Sequence, residues 1–222
     1  MQSQEVCRRL SEIGIVPCAR VKKPEHARFA AETLREAGIP LLEVPLTVPE
    51  AVEVIRDLAK RYADLIIGAG TVLDEESAQQ CIDAGARFIT SPGFIPDVVA
   101  CTRRAEVVAI PGAMTPSEVI AAWKGGGDFV KIFPAETAGG PNYIRALEVP
   151  LPQIPLIVTG GVNQLTAFDY VLAGARAIGV GSQLLPKDSL INRRGETIHE
   201  LARRFRIMVK EARAQRGAAN NN

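Results

Sequence analysis

The chain has 222 residues, enough to bury a substantial core as one barrel-sized domain or two small ones. At 47% hydrophobic and 23% charged, with a formal net charge of +1, its composition excludes a disordered chain and carries no basic surplus that would argue for a nucleic-acid partner. The opening MQSQEVCRRLSEIG has no continuous apolar stretch and no run of eighteen apolar residues occurs, which predicts a cytoplasmic protein with no membrane partner.

From near the N-terminus to about residue 210, short apolar runs of strand length alternate with longer segments of helical period. The strand candidates are IVPCAR (15–20), LLEVPL (41–46), LIIGAGT (65–71), FITSPG (88–93), VVAIPGA (107–113), FVKIFPA (129–135), PLIVTGG (155–161) and AIGVGS (177–182). Between them lie helical stretches such as PEHARFAAETLREAG, PEAVEVIRDLAKRYA, DEESAQQCIDAGA and TPSEVIAAWKGGG. Several open with Pro or Asp and close with Gly, as helices do. A last helix is predicted over 194–213.

Strands that are apolar throughout suit a parallel sheet covered on both faces. Eight strand–helix units predict an α/β fold, a single-domain (β/α)8 TIM barrel over residues 1–213, with 214–222 expected to be a disordered tail. An open doubly wound sheet is the competing architecture, but no GxGxxG follows the first strand. The four cysteines (Cys7, Cys18, Cys81 and Cys101) lie too far apart for a paired ligand motif, and His26 and His199 lack a neighbour at ligand spacing. The cysteines are read as small packing residues, the histidines as surface residues, and no metal is expected.

In a TIM barrel the chemistry sits at the C-terminal ends of the strands. Of the seven lysines, only Lys131 lies inside an apolar strand; the others fall in loops or helices. Glu43 is the one carboxylate similarly embedded, in LLEVPL. Removing such charges from water costs several kcal/mol, about that per ion, unless they have a partner or a task. In an apolar interior, desolvation favours the neutral, nucleophilic form of an amine. Two readings stay open: Lys131 and Glu43 form a buried ion pair, or they act as nucleophile and proton carrier in imine chemistry. Arg20 ends the first strand and is either a carboxylate clamp or a surface arginine, and Thr71 adds a hydroxyl at the same rim. TGG (159–161) and GVGS (179–182) are Gly-rich turns that either cradle a phosphate or only permit tight turns.

In order and spacing, LEVPLTVPEA, IGAGTVL, SPGF, IPGAMTPSE, VKIFPAE, GGPNYIRAL, VTGGVN and GVGS resemble the 2-keto-3-deoxy-6-phosphogluconate aldolases, a family also active on 4-hydroxy-2-oxoglutarate. The resemblance implies a cofactor-free, homotrimeric class I aldolase with Lys131 as Schiff-base lysine and Glu43 as catalytic glutamate. By the same likeness Thr71, Pro92 and Phe133 border the pyruvyl group, and Gly160, Gly161 and Ser182 the phosphate. Many members carry an arginine shortly after the glutamate to hold the substrate carboxylate; this chain has Thr47 there. Another branch places the arginine at the end of the first strand, which gives that role to Arg20. EVPL resembles the galactonate-derived aldolases and VTGGVN the gluconate enzymes, so preference at C4 stays open. The competing functions are another phosphate-binding barrel enzyme, which needs no interior lysine, and a non-catalytic phosphosugar sensor or scaffold.

Overall fold

Parallel strands β1 (Ile15–Pro17), β2 (Leu41–Pro45), β3 (Ile66–Gly70), β4 (Phe88–Thr90), β5 (Val108–Ile110), β6 (Gly112–Ala113), β7 (Val130–Ile132), β8 (Leu156–Thr159) and β9 (Ala177–Val180) form the centre of the computed structural model, which describes residues 2–220. Every residue of every strand is buried, as a sheet covered on both faces requires. The hydrogen-bonded ladder runs in two arcs, β1-β9-β8-β7-β6 and β2-β3-β4-β5.

The ladder does not close as one sheet, and two seams bring the arcs together into a barrel-like ring. At the first, Cys18 bridges Glu43 in parallel register, and the Ala19 N–H donates to the Glu43 carbonyl over 3.0 Å. At the second, β5 and β6 are one strand interrupted at Pro111, whose ring nitrogen has no hydrogen to give the ladder. The Pro111 carbonyl still accepts from the Lys131 N–H over 2.8 Å, so pairing with β7 continues past the break.

Helices α2 (Pro24–Glu36), α3 (Ala51–Arg61), α4 (Glu75–Asp83), α5 (Pro96–Arg104), α6 (Pro116–Lys124), α7 (Gly140–Glu148) and α8 (Ala167–Leu172) follow the strands in turn, with α9 (Lys187–Ile191) and α10 (Gly195–Asn220) closing the ring. Their starts are encoded locally. Asp74 accepts from the Ser77 N–H at the head of α4, and Thr115 with Glu118 forms a reciprocal capping box around Pro116 at the head of α6. A further helix, α1 (Ser3–Ile13), packs against β1, β5 and β9, with Val6 and Leu10 buried. It closes the end of the barrel opposite the strand C-termini.

Two sequence expectations are corrected. The strands are shorter than the apolar runs: Arg20, Thr71, Gly93, Gly161 and Ser182 fall in the loops that follow them. Hydropathy does not mark where a strand leaves the ladder, because residues just past the strand ends, such as Ala19, Val72 and Val162, are apolar and buried too. The last helix does not end at 213 but runs to Asn220. Arg216 fastens the extension, donating to the Gly174 carbonyl over 3.1 Å and pairing with Glu148. Residues 221 and 222 of the expected tail lie outside the described residues.

Candidate active site

Glycines on the inner wall make room for large side chains in a barrel this narrow. At Gly68 a Cβ would strike the Phe88 ring, and at Gly70 it would strike the Glu43 carboxylate. Phe88 fills the interior beside Gly68, whereas Glu43, two residues after the start of β2, occupies the space left at Gly70.

Among the described residues, the charged side chains that are buried are Glu43 and Lys131, each 5% exposed. They face each other across the barrel, Lys131 Nζ standing 3.9 Å from Glu43 Oε2. That is an ion pair but too long for a direct hydrogen bond. Thr90, at the end of β4 and 2% exposed, lies between them. Its hydroxyl accepts from Lys131 Nζ over 3.3 Å and donates to Glu43 Oε2 over 3.1 Å. The other carboxylate oxygen, Oε1, accepts from the Cys18 thiol over 3.3 Å. Burial and then the Glu43 charge push the Cys18 thiol well above the usual cysteine range against the pull of Arg20 and Lys131, so Cys18 keeps its proton and remains a donor.

Phe133 carries the site towards the barrel mouth. Its ring lies 5.6 Å from Lys131 Nζ, and its edge comes within 3.3 Å of where a Cβ on Gly160 would stand. Gly160 and Gly161 have φ of +91° and +87°, backbone that only glycine adopts readily, so their conformation explains why glycine occupies both positions. Among the described residues, no protein acceptor takes the N–H of Gly161, Val162, Ser182 or Gln183. These groups line a cavity of about 990 Å³, together with Arg20, Cys18 and the Thr159–Gly161 turn. The charged side chains around it are Arg20, Lys22, Lys23, Lys187 and Arg193 against Glu25 and Glu136, an excess of cations. Free N–H groups under a positive rim form a receptor for an anion. Glu136, an exposed residue, opposes it, its carboxylate lying against Gly161.

The candidate residues from the sequence therefore divide. Lys131, Glu43 and Phe133 form the interior cluster; Arg20, Gly160, Gly161 and Ser182 line the cavity. Cys18 belongs to both, since it lines the cavity and donates to Glu43. Thr71 follows β3 in the left-handed region at φ 57°, and the turn it occupies is held by Ser91, whose hydroxyl donates to the Val72 carbonyl over 2.7 Å. Pro92 sits half-buried after β4, its carbonyl against Gly112. Thr71 and Pro92 do not line the large cavity.

Sequence reasoning passed over Thr90 and Cys18. A hydroxyl at a strand end is common, and an isolated cysteine is more often packing. Only the register that sets β4 beside β3 and β5, and Cys18 beside Glu43, distinguishes them.

The chain matches known proteins along most of its length. The family model "KDPG and KHG aldolase" matches residues 6–201. The chain is 37% identical over 190 residues to the KHG/KDPG aldolase of Escherichia coli K12, covering 85% of this chain and 89% of that one. It is 34% identical over 175 residues to a probable 2-dehydro-3-deoxy-6-phosphogalactonate aldolase of Rhizobium meliloti, covering 78% and 82%. Among solved structures, it superposes with a TM-score of 0.82 at 31% identity on KDPG aldolase from Legionella pneumophila with pyruvate captured as a covalent carbinolamine, covering 91% and 97%. With a lysine and a carboxylate enclosed inside an eight-unit barrel and a match along most of its length, the chain belongs to the KDPG and KHG aldolase family, and is an aldolase, a carbon–carbon lyase.

Proposed function

We propose that the protein is a class I aldolase that cleaves 2-keto-3-deoxy-6-phosphogluconate to pyruvate and glyceraldehyde 3-phosphate, and 4-hydroxy-2-oxoglutarate to pyruvate and glyoxylate. The observation that carries this reading is the Lys131–Glu43 pair, buried together at 3.9 Å beside a cavity with an anion-binding rim. A buried ion pair alone is poor value for stability, since desolvation offsets most of its attraction. This pair lies inside the barrel beside Thr90, which ends β4, and opens towards the C-terminal end of the strands, where barrel enzymes place their chemistry.

In the reaction Lys131 gives a proton to Glu43 and its neutral amine adds to the C2 ketone; Glu43 protonates the C2 oxygen to a hydroxyl, takes up the surplus proton of the nitrogen, and returns it as the hydroxyl leaves as water. The iminium then draws the electron pair of the C3–C4 bond towards itself as Glu43 accepts the C4 hydroxyl proton. Glyceraldehyde 3-phosphate departs and a pyruvate enamine remains on Lys131. Protonation at C3 and hydrolysis release pyruvate and regenerate the amine. Arg20 holds the substrate carboxylate; Thr71, Pro92 and Phe133 enclose the pyruvyl group. The N–H groups around Gly160, Gly161 and Ser182 hold the phosphate, and the two anchors set the scissile bond over Lys131. No metal or organic cofactor enters these steps.

The galactonate-derived substrate is the second reading, favoured by the EVPL segment around Glu43 and by the likeness to the Rhizobium meliloti protein. Cleavage rates on the two C4 epimers decide between them. A homotrimer, a cytoplasmic location and a place in Entner–Doudoroff carbohydrate catabolism complete the proposal, supported by the family likeness.

Borohydride reduction in the presence of pyruvate, followed by peptide mass mapping, tests the chemistry. The expected product is a reduced adduct on Lys131; an adduct on another lysine, or none, overturns it.

A further inference from the structure

The proposed mechanism requires protons to move between the nitrogen of Lys131 and the carboxylate of Glu43, yet the two atoms are 3.9 Å apart. Hydrogen-bonded proton transfer works at about 2.6–3.2 Å or through one intermediary. The Thr90 hydroxyl offers the shorter steps: 3.1 Å to Glu43 lies within that reach, and 3.3 Å to Lys131 is just beyond it, as catalytic hydrogen bonds often are before substrate binds. Its polarity is fixed: a lysine ammonium only donates, a carboxylate only accepts, and a hydroxyl carries one hydrogen. Thr90 therefore accepts from Lys131 and gives its own hydrogen to Glu43. We propose that Thr90 is a catalytic proton conduit linking the Schiff-base nitrogen of Lys131 to Glu43, a role that rests on the Schiff-base reading above.

The surroundings hold both ends of this conduit in place. Glu43 Oε1 is occupied by the Cys18 thiol, and the carboxylate lies in the space that Gly70 leaves open, so Oε2 is the oxygen that faces Thr90. Thr90 is itself β-branched, buried to 2% exposure and in register with Ile110, which restricts the swing of its hydroxyl.

The step balances. Before addition, the Lys131 ammonium passes one proton through Thr90 to Glu43, which leaves a neutral amine and a carboxylic acid. The amine adds to C2 as the C=O π bond breaks, and Glu43 protonates the oxygen left negative, which gives the carbinolamine hydroxyl and restores the carboxylate; the nitrogen now bears a positive charge and a surplus proton. That proton passes to Thr90 Oγ1 while Thr90's hydrogen passes to Glu43 Oε2; the nitrogen keeps its electron pair and Thr90 is again a neutral hydroxyl. Glu43, now a carboxylic acid, protonates the carbinolamine hydroxyl as the C2–O bond breaks. The nitrogen pair forms the C=N bond, water leaves, and Glu43 returns to carboxylate.

Thr90→Val keeps the shape and removes the hydroxyl, whereas Thr90→Ser keeps the hydroxyl. The full-length variants are mixed with pyruvate, quenched with borohydride at timed intervals and mapped for adduct at Lys131, with thermal melts as the folding control. Imine formation should slow by about 10²-fold or more in Thr90→Val, the lower end for general acid–base catalysis, and recover most of the way in Thr90→Ser. In mixtures of light and heavy water, the wild-type rate should curve with deuterium fraction, since two protons move together, and the Thr90→Val rate should not. Imine formation at the wild-type rate in Thr90→Val, or equal slowing in Val and Ser variants, overturns the conduit while leaving Lys131 as nucleophile. If Thr90→Val does not fold, Thr90→Ala is read against Thr90→Ser in the same way. A wild-type protein that acquires no adduct at Lys131 instead overturns the Schiff-base reading, and the conduit with it.

Discussion

Gly70→Ala changes no residue with chemistry of its own, and is expected to disable the enzyme by moving one that has. Gly70 ends β3, paired with Pro45, and its φ lies outside the left-handed region, so an alanine meets no backbone strain there. The methyl group would instead stand 2.7 Å from Glu43 Cδ and 2.8 Å from Glu43 Cγ, with Oε1 closer still. Carbon atoms rest at about 3.5–4.0 Å, so the carboxyl group must retreat by about 1 Å. The Thr90–Glu43 bond at 3.1 Å is already near the long end of the useful range and does not survive such a shift. Overpacking costs about 1–3 kcal/mol, against a total stability of about 5–15 kcal/mol, so the barrel still folds. Loss of a positioned acid–base group lowers kcat by about 10²–10⁴-fold. Pyruvate release coupled to NADH oxidation measures this, with a thermal melt alongside and Gly217→Ala, where a Cβ meets nothing within 4 Å, as the control. A folded Gly70→Ala enzyme with near-wild-type kcat would refute the claim that Glu43 must stand where it does.

Arg20→Ala should raise KM for the keto acid by about 10–100-fold, the worth of a charge-assisted hydrogen bond, and weaken inhibition by pyruvate more than inhibition by inorganic phosphate. The reverse ranking assigns Arg20 to the phosphate end of the cavity. Glu118 gives a pH prediction: the backbone N–H groups of Met114 and Thr115, each donating over 2.8 Å, hold its carboxyl below the ordinary glutamate value. A depressed pKa contributes stability that is complete above the unfolded value and disappears as pH falls through the folded value. The wild type should therefore melt above Glu118→Gln at neutral pH, the gap closing below the carboxylate range; a gap that persists in acid contradicts the assignment.

Much of this was legible before the fold was known, for physical reasons that particular residues illustrate. An ammonium in FVKIFP and a carboxylate in LLEVPL stand out because burying charge is costly, and hydropathy alone exposes the cost. Alternating periods predict strands and helices, and Asp74 and Thr115 mark helix starts because capping is a contact within one turn. The glycines of TGG are explained by positive φ, a local property too.

What the chain order leaves open is everything that depends on who stands beside whom. Thr90 is 41 residues from Lys131 and 47 from Glu43, and Cys18 is 25 from Glu43. Nothing near any of them in sequence distinguishes a hydroxyl or thiol that bonds a charge from one that only packs. The register between strands makes that distinction, and so does the space at Gly70 that lets the Glu43 carboxylate lie where Thr90 and Cys18 reach it. The sequence by itself determined that two charges would be enclosed in a barrel of parallel strands. The tertiary structure decided that they stand too far apart to exchange a proton directly, because strand spacing and side-chain length, not composition, set the 3.9 Å between them.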